Sequence, residues 1–296
     1  MKCLHRSPIL HLILALFAGV WSVAAHAQQD IYLDFGRGPE VVHLPPQIES
    51  GEPLPLVVML HGYGSTSLLT DMYLGFTAES DRRGFILVRP NGEIDVYGNR
   101  HWNATDACCQ YFGDRDDSSY LRGIIDKLVQ RFSIDPARIY VTGHSNGGFM
   151  SHRMACDHAD VVAAVASIAG ATWAEPGLNC APTAPVAVLQ IHGTLDPTIL
   201  YPGGCLALLD CYPGARFTAA SWALLNSCSG APVPEPGRRD FAEGVAGPES
   251  LIENFTGCAD GGASSLWTLR GASHVPIFTP AFLPAMVDFL YANARD

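Results

Sequence analysis

One continuous stretch limits what this chain can become. Ile139-Tyr140-Val141-Thr142 runs straight into Gly143-His144-Ser145-Asn146-Gly147, and a helical pattern over residues 146–158 follows. Branched and aromatic residues favour a strand. Two glycines four positions apart allow a turn tight enough for backbones to approach one another. A strand that enters a helix through such a turn is half of a βαβ unit, which calls for parallel neighbours. The hydroxyl of Ser145 would then stand at the carboxyl end of a buried strand, lifted clear of the sheet edge.

The remaining pattern supplies those neighbours. Residues 31–35 and 40–44 read as a leading hairpin, and residues 56–60 form an unbroken apolar run, as a strand buried on both faces does. Further strands are expected over 85–89, 164–169, 186–192 and 265–269, with helices over 67–80, 117–131, 219–226 and 280–294. Residues 93–116 read as a polar loop, and 229–250 as a Pro/Gly-rich stretch. This alternation predicts an α/β fold with a doubly wound, mostly parallel sheet flanked by helices.

Residues 1–27 carry Lys2 and Arg6, an apolar run from Ile9 to Trp21, and Ala25-His26-Ala27. That is the pattern of a cleaved export signal. The run falls short of the roughly 20 residues a membrane span needs. The expected organisation is a signal peptide over 1–27 and one catalytic domain over 28–296, secreted to the periplasm or the medium. With 48% hydrophobic residues the chain can build a core, and its net charge of −11 disfavours nucleic acid and anionic membranes as partners. A monomer is expected.

Eight cysteines lie beyond the leader: 108, 109, 156, 180, 205, 211, 228 and 258. An even number in an exported chain predicts a disulfide-stapled fold. Zinc is the rival, but adjacent cysteines chelate poorly and no C-x-x-C occurs, so no metal is expected. Cys205–Cys211 closes a short loop and Cys228–Cys258 staples the Pro/Gly-rich stretch. Cys108 and Cys109 are expected to pair with Cys156 and Cys180, in either order.

A serine hydroxyl is a weak nucleophile and needs a base. Asp196 follows the strand over 186–192, and His274 follows the strand over 265–269; His274 is the sole histidine after Asp196. Serine, acid, histidine is the chain order this chemistry uses on such a sheet. Ser145 is therefore the expected nucleophile, His274 its base, and Asp196 the group that orients the imidazole. His61-Gly62-Tyr63-Gly64 ends the buried strand over 56–60. The main-chain N–H groups of Tyr63 and Asn146 are the expected oxyanion donors. His192 is read as a brace for the acid loop, and His144 as part of the turn. Trp102, Trp173 and Tyr63 are the expected aromatic clamp for substrate, with Phe278 a further candidate for the same cleft.

Several of these motifs occur together in one group of proteins. Leu60-His61-Gly62, Trp102-Asn103-Ala104 with Cys108-Cys109, Gly143-His144-Ser145-Asn146-Gly147-Gly148 and His192-Gly193-Thr194-x-Asp196 resemble the polyhydroxybutyrate depolymerase and feruloyl esterase-like group of exported α/β-hydrolases. The likeness runs over residues 35–294. It implies an α/β-hydrolase fold and hydrolysis of carboxylic esters through an acyl-enzyme, with neither metal nor organic cofactor. The implied partner is an ester substrate, an oligomer or polymer of hydroxyalkanoate or polyester type. Feruloyl or acetyl esters of plant cell walls are the alternative, and acyl transfer is a third course. The chain departs from the group at His274-Val275-Pro276, where many members have Trp-Pro, which argues against feruloyl specificity.

Overall fold

The computed structural model describes residues 29–109, 115–206 and 211–295. The expected signal peptide lies outside the described residues. In chain order the elements begin β1 (Gln29–Asp34), β2 (Pro39–Leu44), β3 (Leu54–Leu60), α1 (Ser67–Leu74), α2 (Phe76–Arg83) and β4 (Ile86–Arg89). A small hairpin, β5 (Glu93–Ile94) and β6 (Arg100–His101), precedes α3 (Asp117–Arg131), β7 (Ile134–His144) and α4 (Asn146–Asp157). Next come β8 (Ala164–Ile168), α5 (Pro176–Asn179), β9 (Ala187–Gly193), β10 (Gly203–Cys205), β11 (Cys211–Pro213) and α6 (Ala215–Leu225). The chain closes with β12 (Val233–Pro234), β13 (Ser250–Asn254), β14 (Ser264–Leu269) and α7 (Phe282–Ala292).

Ten strands form one sheet in the order β1-β2-β4-β3-β7-β8-β9-β14-β13-β12. The central run from β4 through β14 is parallel, and the strands at both margins are antiparallel. All seven residues of β3 are buried. Its side chains alternate between two cores: Leu56, Val58 and Leu60 join α3 and α4, while Val57 and Met59 join α2 and α7. Helices thus cover both faces, and each fully buried Val, Leu or Met contributes roughly 1.5–3 kcal/mol against exposure. On α7 the buried residues are Phe282, Met286, Val287 and Leu290, one helical stripe.

The expected helix over 67–80 is two helices. Gly75, at φ +81°, ends α1 and starts α2, a left-handed conformation that suits glycine. The expected loop over 93–116 contains the β5–β6 hairpin. The stretch after Cys228 yields β12 and β13, paired antiparallel to each other, with β13 added to β14.

Two of the four disulfides join the expected partners, Cys205–Cys211 and Cys228–Cys258. The other expectation is corrected: Cys108 bonds to its neighbour Cys109, and Cys156 to Cys180. The reason is placement. Cys156 closes α4 beside the residue that follows α5, whereas Cys108 and Cys109 sit against the side chain of Asn146.

Candidate active site

The chain order reverses at β3: β4 packs on one side of it and β7 on the other. A crevice outside the strand ends opens at such a switch point. Gly62 and Tyr63 leave β3 there, and Ser145 leaves β7.

Ser145 has φ +56° and ψ −121°, a conformation that costs a non-glycine residue on the order of 1–3 kcal/mol. Its surroundings impose it. The Ser145 N–H donates to the Ile168 carbonyl at 2.8 Å, and the Phe149 N–H donates to the Ser145 carbonyl at 3.0 Å. A Cβ on Gly143 would lie 2.4 Å from the Gly147 carbonyl carbon, and one on Gly147 would lie 2.3 Å from the Leu60 carbonyl oxygen. The turn can close only because both residues lack a side chain.

Asp196 is buried just past β9, and His274 follows β14. Nδ1 of His274 lies 2.7 Å from Oδ2 of Asp196. The other carboxylate oxygen accepts the N–H groups of Thr198 at 2.8 Å and Ile199 at 2.9 Å. Burial alone would raise the Asp196 carboxyl. Hydrogen bonds from His192 and His274, the nearby His274 ring and the Ile199 N–H outweigh it and hold the group well below the usual carboxylate range. His274 is in turn tied to the turn at Ser145. Nε2 of His144 lies 2.8 Å from the His274 carbonyl, which can only accept, so His144 donates. The two rings are 4.8 Å apart, one residue away from Ser145. Burial lowers His144 to about 4, so its ring stays uncharged at neutral pH.

The segment after β3 is fixed by His61, which the sequence reading gave no role. Nε2 of His61 accepts the Gly92 N–H at 2.9 Å, which leaves Nδ1–H to donate to the Gly62 carbonyl at 2.8 Å. A trans peptide points its C=O and N–H in opposite directions. Drawing the Gly62 carbonyl to His61 therefore turns the Tyr63 N–H to the other side. Burial lowers His61 to about 4, which preserves this arrangement at neutral pH. A Cβ on Gly62 would meet Cβ of Ser145 at 3.4 Å, so this backbone lies directly against the turn at Ser145. The Tyr63 ring is exposed, and its hydroxyl donates to Asp95 at 2.6 Å.

Asn146 opens α4, where main-chain N–H groups lack intrahelical partners. Its buried side chain is committed elsewhere. Oδ1 accepts the Trp102 N–H at 2.7 Å, and Nδ2 donates to the Trp102 carbonyl at 2.9 Å and approaches both sulfurs of Cys108–Cys109.

The expected aromatic clamp is corrected. Trp102 has no exposed surface; its Nε1–H donates to the His61 carbonyl at 3.1 Å, and its ring packs 5.1 Å from the His61 ring. Trp173 is 6% exposed and belongs to the core on the α3–α4 side. Trp102 supports His61 and Asn146 from beneath, Trp173 is core packing, and Tyr63 alone of the three is exposed. Phe278 is partly buried and stacks on Phe282 at 3.6 Å. The exposed apolar residues near the site are others: Leu69 and Met72 on α1, Val96 and Tyr97 in the β5–β6 turn, and Val275 and Ile277 after His274. Tyr73 of α1 donates to the Pro276 carbonyl beyond His274, and Tyr63 donates to Asp95 in the β5–β6 turn. Among the described residues no group of three or more His, Cys, Asp or Glu could hold a metal ion, and no helix is long and apolar enough to cross a membrane.

Fold and site together define an α/β-hydrolase. Residues 47–206, more than half the chain, match the phospholipase/carboxylesterase family, and the chain belongs to that family. A feruloyl esterase B of Piromyces equi is 31% identical over 179 residues, which cover 58% of this chain and 31% of that protein. The poly(3-hydroxyalkanoate) depolymerase C of Paucimonas lemoignei is 27% identical over 276 residues, 86% of this chain and 58% of that one. The chain thus spans only part of the length of either relative. An acetyl xylan esterase from Aspergillus awamori shares the fold, with a TM-score of 0.60 at 17% identity, over 90% of this chain and 99% of that chain. The resemblance drawn from the motifs holds at the level of the family.

Proposed function

We propose that this protein is an exported serine esterase that hydrolyses carboxylic esters. The observation that carries this reading is the 2.7 Å pair of His274 and Asp196, anchored through His144 to the strained turn at Ser145. His274 takes the proton of Ser145 as its oxygen attacks the ester carbonyl. The tetrahedral oxyanion is held by the main-chain N–H groups of Asn146 and Tyr63. His274 then protonates the leaving alcohol, and water repeats the sequence on the acyl-enzyme. Asp196, held as a carboxylate, keeps the imidazole in the useful tautomer. Four disulfides support a destination outside the reducing cytoplasm.

The substrate class we favour is a polyester or hydroxyalkanoate chain. The likeness to the depolymerase covers 86% of this chain, more than the feruloyl esterase match. The rim of the site supports the same choice. Met72 is 74% exposed, Val96 84% and Ile277 68%, whereas the two aspartates of these segments, Asp71 and Asp95, are buried. An uncharged apolar rim suits an uncharged aliphatic ester. The feruloyl and acetyl alternative is favoured by the higher identity to the Piromyces enzyme.

Parallel assays on a short-chain nitrophenyl ester, hydroxybutyrate oligomers, methyl ferulate and acetylated xylan separate the readings. Ser145→Ala is expected to lower every activity by about 10⁶-fold. Equal activity of the variant and wild type on all four would end the esterase reading, and faster turnover of methyl ferulate than of the oligomers would reverse the order of substrates.

A further inference from the structure

A line of buried side chains leads away from Asp196 into the core. Oδ2 of Asp196, which meets His274, also lies 3.4 Å from Nε2 of His192. Nε2 of His192 is 2.7 Å from the Ile199 carbonyl. Nδ1 of His192 is 3.2 Å from Nε2 of Gln190, which donates to the Gly170 carbonyl at 2.8 Å. Oε1 of Gln190 is 2.9 Å from Nε2 of His152. His152 stacks on Trp222, and its Nδ1 has no hydrogen-bond partner. His152 and Gln190 are fully buried, and His192 is nearly so.

The donors and acceptors along this line have one consistent assignment. The Gly170 and Ile199 carbonyls can only accept, and they set the rest. The Gly170 carbonyl requires the amide nitrogen of Gln190 on its side. That nitrogen has a second N–H, which meets Nδ1 of His192, so Nδ1 must accept. The Ile199 carbonyl requires a proton on Nε2 of His192, and the same N–H faces Oδ2 of Asp196. At the far end Oε1 of Gln190 accepts from Nε2–H of His152. Burial lowers His152 to about 4, in keeping with an unprotonated Nδ1.

We propose that Gln190 and His192 are positioning residues for Asp196, members of a buried tautomer relay that begins at His152. The relay rests on the reading of Asp196 and His274 as acid and base. It has a mechanical meaning. His152 lies on α4, the helix that Ser145 opens, and Gln190 and His192 lie on β9, the strand that leads to Asp196. Successive alternate residues of a strand share a face. The relay therefore ties the helix that follows Ser145 to the strand that leads to Asp196. It also presents Asp196 with a second directed N–H, so that Oδ2 is held between His192 and His274.

The test uses the full secreted chain. In wild type, ring ¹⁵N–¹H spectra should show His192 protonated at Nε2 and bare at Nδ1. The reverse assignment would overturn the relay without any variant being made. Gln190→Met keeps the length of the side chain and removes both amide N–H groups. It should lower kcat by up to about 10²-fold, with KM for a soluble nitrophenyl ester changed less than twofold. It should also shift the His274 Hδ1 resonance. Gln190→Glu puts a carboxyl oxygen where the amide N–H met Nδ1 of His192, while the Ile199 carbonyl still holds a proton on Nε2. Its kcat should also fall, and the His192 Nδ1 signal should move while Nε2 keeps its proton. Unchanged kcat and an unchanged His274 resonance in both variants would overturn the proposal. Should Gln190→Met fail to fold, the wild-type spectra still decide it. Failure of the esterase reading is distinguishable, because it shows as activity that survives in Ser145→Ala while the His192 and Gln190 signals remain coupled.

Discussion

Around β1, β2, α1 and α2, the buried Arg89 and His43 are each held between two carboxylates. Arg89 reaches Asp71 at 2.6 Å and Asp30 at 2.7 Å, and His43 lies between Asp30 at 2.8 Å and Asp81 at 2.9 Å. Around the ends of β3, β7 and β9 the buried groups are imidazoles and amides: His61, His144, His152, Gln190 and His192, with Asp196 the one carboxylate in their midst. The charged network holds elements together through attraction that tolerates small changes of angle. The second network works through donors and acceptors whose direction matters. Each ring directs its N–H: His61 to the Gly62 carbonyl, His144 to the His274 carbonyl, His152 to Gln190, and His192 to the Ile199 carbonyl with Asp196 beside it. The flank is built for cohesion, and the site for aim.

The sharpest way to break this contrast is to cut each network at its centre. Asp196→Asn should lower kcat by about 10⁴-fold, since an amide favours the wrong imidazole tautomer, while urea unfolding changes far less. Arg89→Met should do the opposite. Removing one member of a buried charged group costs about 3–5 kcal/mol, and kcat per folded molecule should stay at the wild-type value. A large loss of kcat in Arg89→Met would erase the distinction between the regions.

A smaller effect follows from pH. Burial lowers His61, His144 and His152 from 6.5 to about 4 in the folded chain. The unfolded chain binds these protons first as pH falls. Their contribution to stability is therefore whole above about pH 6.5, declines below it, and is lost as pH falls through about 4. Unfolding free energies from urea titrations at pH 7, 5.5 and 4.5 should fall in that order, in Arg89→Met as in wild type. A flat profile would show that these rings are not buried as neutral groups.

The smallest expected change in stability belongs to the rim. Met72→Ser and Ile277→Ser alter exposed side chains and should leave unfolding within about 0.5 kcal/mol of wild type. Their effect should appear as slower attack on a solid polyester film at unchanged rate on a soluble nitrophenyl ester. Equal losses on both substrates would place these residues in the chemistry of the site instead of its approach.

The sequence made much of the sheet readable, because strands buried on both faces appear as unbroken apolar runs. The proposed nucleophile, acid and histidine were legible for a related reason: each follows such a run within a few residues. What was missed depends on contacts between distant positions. Trp102 looks like a loop residue until His61 and Asn146, about forty positions away on either side, take up its indole and its backbone. Gln190 is one residue inside a strand, and nothing near it in the chain shows that His152 and His192 flank its amide. β13 has its two apolar residues side by side, Leu251 and Ile252, so it lacks the alternation that marks a strand; pairing with β14 creates it. Spacing alone does not order the bonds among Cys108, Cys109, Cys156 and Cys180, and the bond between the adjacent pair shows only in the fold.

That pairing completes a simple pattern. The four disulfides join the eight cysteines two by two in the order in which they occur: Cys108 with Cys109, Cys156 with Cys180, Cys205 with Cys211, Cys228 with Cys258. Eight cysteines allow 105 connectivities, and this is the one in which no loop encloses or crosses another. For a chain delivered amino end first into an oxidising compartment, each cysteine meets its native partner as the next one to arrive. An oxidant that joins thiols as they emerge would write the native pattern directly, with no bond left for an isomerase to exchange.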